Sequence, residues 1–133
     1  MGDWRQETRA DLKDAEVRLA AIEGTLSGEP DDAQMRSVWR AYLDVEKSVA
    51  FIKVELGSES PGVFVNKKVY RVPDERQAVS FALTALRRGS ESFSSGDFET
   101  SLKQLRESRN YLRVLLMEKR RLLAKRSKVS DRS

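Results

Sequence analysis

Apolar residues recur along this chain with alternating steps of three and four, in four separate runs. In the first, Leu12, Ala15, Leu19, Ile22 and Leu26 share one stripe of a helix predicted over residues 4–26. In the second, Met35, Val38, Tyr42, Val45, Val49, Ile52 and Leu56 keep that spacing through a helix over 32–56. Trp39 and Phe51 widen its apolar face. The third run sets Val79, Ala82, Leu83, Leu86 and Phe93 on the inner face of a helix over 74–94. The fourth carries Leu102, Leu105, Leu112, Leu116 and Leu123 along a helix over 98–124.

Start and stop signals bracket these runs. Asp3 with Gln6, Asp31 with Gln34, and Asp74 with Gln77 have the spacing of capping boxes. In such a box the carboxylate accepts from an orphan amide while Gln reaches back. The segments Pro30-Asp31-Asp32-Ala33-Gln34 and Pro73-Asp74-Glu75-Arg76-Gln77 look alike because both use this chemistry. Ser27-Gly28-Glu29-Pro30 separates the first two helices, since Gly accepts a left-handed cap and Pro cannot continue the ladder. Ser94-Ser95-Gly96-Asp97 turns the third helix into the fourth. Links this short make each pair an antiparallel hairpin.

The stretch from Gly57 to Pro73 differs. Val63-Phe64-Val65-Asn66-Lys67-Lys68-Val69-Tyr70-Arg71-Val72 is rich in β-branched and aromatic residues and reads as extended. Asn66-Lys67 offers a turn for a short β-hairpin. The expected fold is all-α, a four-helix bundle of two antiparallel hairpins joined by an extended crossover loop at 57–73. A single helical domain is expected over residues 1–126, with residues 127–133 as a basic disordered tail.

Composition narrows the chemistry. The chain has 133 residues, with no Cys and no His. Disulfides, thiolate metal sites, cysteine nucleophiles and the usual base near neutral pH are therefore excluded. Asp11, Asp14, Glu16 and Glu23 lie off the apolar stripe of the first helix and read as a solvated face. Ser90, Ser92, Ser94 and Ser95 read as turn and cap residues. No cofactor or metal is expected. The opening residues hold no apolar run of a signal peptide, and no stretch nears the length of a membrane span. A cytoplasmic location is the expectation.

The hairpin formed by the third and fourth helices resembles a single tetratricopeptide repeat over residues 82–115. The resemblance rests on Gly89, on Gly96-Asp97-Phe98, and on Ser101, Leu102, Leu105 and Ser108. In that motif small residues let two helices approach closely and the Gly-Asp-aromatic triplet makes the turn. Arg88 and Ser92 stand where the motif is usually apolar or aromatic, Arg113 replaces its closing proline, and no second repeat follows. The same hairpin is also similar to part of a HEPN-type four-helix domain. Ribonucleases of that type carry Arg-Asn followed shortly by His. Arg109-Asn110 is present here and Val114 stands near the place of the His. That resemblance implies a non-catalytic member.

Charge is uneven. The whole chain is +4, yet residues 113–133 hold eight basic residues against two acidic ones. Lys119, Arg120, Arg121, Lys125, Arg126 and Lys128 therefore form a candidate contact for an anionic partner. Lys67, Lys68 and Arg71, interleaved with Tyr70, form a second. The expected function is a non-enzymatic helical adaptor that works by protein–protein interaction or self-association. Its basic C-terminal helix would serve as an accessory electrostatic contact. The alternative is a small RNA- or DNA-binding protein that uses this helix and the 64–71 loop. On the adaptor reading, Trp4 and Trp39 belong either to the core or to a partner contact as anchors.

Overall fold

Capping aspartates start the helices where the spacing places them. The computed structural model describes the backbone of residues 3–57 and 74–130, and the side chains of these as far as Met117. Four helices follow in order: α1 (Trp4–Thr25), α2 (Asp32–Glu55), α3 (Glu75–Ser94) and α4 (Phe98–Ser130). Asp31 makes a full capping box before α2. Its carboxylate accepts from the Gln34 amide at 2.7 Å, and its own amide donates to the Gln34 side chain at 2.9 Å. Asp74 accepts from the Gln77 amide at 2.8 Å. Asp3 caps α1 through Arg5 rather than Gln6, at 3.0 Å. Gly28 and Gly96 sit in the two tight links at φ 88° and 84°, a backbone region that Cβ disfavours.

The apolar stripes meet as one core. Leu12, Ala15, Leu19, Ile22 and Leu26 are all buried, as are Val38, Val45, Val49 and Ile52 of α2. From α3 come Val79, Ala82, Leu83, Leu86 and Phe93, and from α4 Leu102, Leu105 and Leu112. Leu115 is buried too, while Leu116 only packs against the core's edge. Met35, Tyr42 and Leu56 are half-buried. Trp39 departs from the expected face: it is 49% exposed. A helix stripe wider than the neighbouring helices can cover leaves its margin in water.

Helix order around the bundle is α1–α2–α4–α3, so α1 lies diagonal to α4 and α2 diagonal to α3. At one end Trp4 gathers Phe51, Phe93 and Phe98 with ring centroids 6.3, 5.8 and 5.8 Å away. Arg5 lies over Trp4 and Phe98 and reaches Glu55 at 3.5 Å. That end therefore holds the start of α1 and α4 and the finish of α2 and α3. Every adjacent pair is antiparallel. The finish of α2 and the start of α3 stand at opposite ends of the bundle and on opposite corners. The expected crossover with its β-hairpin falls on residues 58–73, outside the described residues.

The α3–α4 pair is the tightest. Ser101 donates to the Gly89 carbonyl and Ser108 to the Ala82 carbonyl, both at 2.7 Å and both buried. A Cβ on Gly89 would stand 2.7 Å from Leu105 Cδ2. Seven residues along α3 thus match seven along α4, and one more such step sets Glu75, where α3 begins, opposite Leu115. From there α4 runs on without α3 beside it.

The fourth helix is longer than the spacing indicated. It continues through Ser130, past the expected end at Ala124. Residues 127–130, expected in a disordered tail, are helical in their backbone. The reason is local: Lys125 to Ser130 contains neither Gly nor Pro, so nothing stops the ladder. Residues 131–133 lie outside the described residues.

Candidate interaction surface

Three pairs of residues one turn apart build a groove on the α1–α2 side. Asp14 and Arg18 come from α1; Trp39 with Leu43, and Arg40 with Asp44, come from α2. The groove encloses about 460 Å³. Helical pitch explains the grouping, because residues four apart stand above one another on a helix. Trp39 stacks on Tyr42 with centroids 5.6 Å apart and rings 20° from parallel. That contact holds the indole against Tyr42 while about half of Trp39 stays open to solvent. Leu43 is 46% exposed beside it. Two large apolar side chains thus stand open, with two acids and two bases around them.

The acids here are crowded. Burial raises the Asp44 carboxyl above the usual carboxylate range, and the nearby charges of Asp11 and Asp14 push it further. Arg18 and Lys47 oppose that shift. Lys47 binds Glu7 and reaches Asp11 at 3.3 Å. These two bonds hold its ammonium above the ordinary lysine range. Sequence spacing kept Asp11 and Asp14 on a solvated face. Asp14 is indeed exposed, near enough to Asp44 for its charge to be felt, whereas packing sets Asp11 half-buried against Lys47 of α2. Trp39 was legible as the margin of the apolar face of α2, but nothing in the local pattern marked it as uncovered; Leu43 lies off that stripe and its exposure agrees with the spacing.

A second groove of about 300 Å³ lies on the opposite side, between α3 and α4. Phe81 and Tyr111 line it with centroids 5.4 Å apart, and Arg88 and Lys103 stand along it with Glu107. Arg88, out of place for a tetratricopeptide motif, therefore faces solvent along this groove.

The residues expected to meet an anionic partner divide into two groups. Lys119, Arg120, Arg121, Lys125, Arg126 and Lys128 share one element, the part of α4 that extends beyond the start of α3. At ~100° per residue their positions circle the helix axis rather than form one stripe. Lys67, Lys68 and Arg71 lie outside the described residues. Arg109 of the Arg-Asn pair donates to Glu46 of α2 at 3.2 Å and ties α4 to α2. Burial, with Arg109 close by, lowers the pKa of the Arg106 guanidinium. Among the described residues no group of three or more acids is placed to hold a metal ion. None of the helices, over those residues, is long and apolar enough to cross a membrane. No protein-family model, curated protein or solved structure matches the chain.

Proposed function

We propose that this chain is a non-enzymatic helical binding module that engages a protein through the α1–α2 face. The observation that supports this is the exposed Trp39–Leu43 pair, ringed by Arg18, Arg40, Asp14 and Asp44. Trp and Arg dominate the binding energy of protein interfaces, because a rigid aromatic surface leaves water at small entropic cost. Polar groups around it then set orientation. The close α3–α4 pair supplies a stiff backing on the other side of the bundle. The chain offers neither His nor Cys for catalysis, and its crowded carboxylates sit against Lys47 and Arg18. The test is a salt-resistant pull-down from native extract, with and without nuclease, using the full chain and Trp39→Ala. Recovery of one partner by the parent chain, insensitive to nuclease and reduced at least about tenfold by the substitution, is the expected result. Recovery that the substitution leaves unchanged defeats the reading.

A second reading, nucleic-acid contact by the end of α4, is favoured by the helix continuing through Ser130. That places six cations on one rod past the start of α3. Gln at Lys119, Arg120, Arg121, Lys125, Arg126 and Lys128 preserves helix propensity and removes the charge. A labelled single-stranded oligonucleotide should bind the parent chain with a steep salt dependence. Each cation taken away from a phosphate should lower the log–log slope by about 0.7. An oligonucleotide that binds both chains alike at low salt is the result against it.

A further inference from the structure

The α1–α2 groove carries its own complement. Around the open Trp39 and Leu43 stand two acids, Asp14 and Asp44, and two bases, Arg18 and Arg40. A two-fold interface brings one patch against itself, so each residue of a pair meets the other twice. A patch of a single charge repels its copy, whereas a patch with both signs either side of an apolar centre attracts it. From this juxtaposition we infer that the partner of the α1–α2 face is a second copy of this chain, packed α2 against α2 about a two-fold axis. The inference rests on the protein-contact reading and names its partner.

The register follows from the helix. Two antiparallel copies of α2 centred at Tyr42 set Arg40 of each level with Asp44 of the other. Trp39 then falls within about one turn of the second copy's Leu43, which closes the apolar centre. Arg36 falls level with Ser48, beside the network of Lys47, Glu7 and Asp11, which has one more acid than base. One register thus makes two kinds of charge match, each repeated across the axis. The crowding of Asp44 by Asp11 and Asp14 supplies a reason for a guanidinium from outside to settle there. Tyr42, already stacked under Trp39, keeps the indole from folding away before contact.

Sedimentation equilibrium of the full chain tests this, using Trp39→Ala, Arg40→Asp, Asp44→Arg and the double variant Arg40→Asp/Asp44→Arg. All three positions are at least partly open to solvent, and helical circular dichroism verifies that each variant folds. The parent chain should dimerise. Trp39→Ala and each single reversal should raise the dissociation constant at least about tenfold. The double reversal exchanges the two signs in both copies and should restore most of the affinity. A parent chain that stays monomeric to near-millimolar concentration overturns the inference. So does a dimer indifferent to Trp39→Ala, or a double reversal no better than the singles. A monomer that still captures a different protein through Trp39 removes the second copy and leaves the protein-contact reading intact. A monomer whose capture ignores Trp39 removes both.

Discussion

Asp31 shows how much one side chain settles. It closes both arms of a capping box before α2, at 2.7 and 2.9 Å. Replacing it with Ala leaves the Gln34 amide without that acceptor and should cost about 1 kcal/mol in urea unfolding. Asp44 works in the other direction. Its carboxyl pKa is raised on folding, first by burial and then by Asp11 and Asp14. The folded chain therefore holds this proton more tightly than the unfolded chain does. The contribution of Asp44 to stability falls as pH rises through the carboxylate range and is least above its raised pKa. Asp44→Asn should raise the thermal midpoint at pH 7 in dilute solution. The gain should fade in acid, where the parent carboxyl is protonated. A gain equal at both pH values would contradict the role given to its charge. The cap was readable in the sequence because Asp and Gln lie three residues apart. The titration was not, since it depends on carboxylates from two helices.

The contact of α3 with α4 decides the behaviour of these elements. Gly89 sits where the two backbones nearly touch, and an added methyl would lie 2.7 and 2.8 Å from two atoms of fully buried Leu105. Leu105 cannot swing into water without leaving the core. Gly89→Ala should therefore destabilise by about 1–3 kcal/mol, overpacking outweighing the gain of about 1 kcal/mol in helix propensity. At Gly24, helical as well, an added methyl would meet nothing within 4 Å. Gly24→Ala should stabilise by about 0.5–1 kcal/mol. Guanidinium unfolding of the pair checks both signs. Identical shifts would show that the α3–α4 contact is looser than these distances require. The small residues at 89, 101 and 108 were visible along the chain as one pattern. Their hydrogen bonds between the two helices belong to the approach of the backbones and have no local signature.

At the scale of the molecule, α4 leaves the bundle before it ends. The Arg109–Glu46 bond sets the α2–α4 register, and stepping along it places Asp32, where α2 begins, near Leu123. Truncation after Ala124 should thus change the unfolding free energy by no more than about 0.5 kcal/mol, the scale of changes remote from the core. A larger loss in chemical denaturation would mean that the extension folds back on the bundle. The sequence alone determined the four helices of the described residues, the aspartates that start the first three and most of the stripes that face inward, though the full box with Gln forms only at Asp31. Those are local properties, set by spacing of three and four and by single Asp and Gly residues. It also located the cations of α4, but not the helix end, because a stretch lacking Gly and Pro carries no stop signal. Only the tertiary structure decided the ring order α1–α2–α4–α3, the gathering of Asp11, Asp14, Asp44 and Lys47, and the exposure of Trp39. A periodic stripe states that a face is apolar. How much of that face is covered depends on the width and angle of the helices beside it, which residues far along the chain supply.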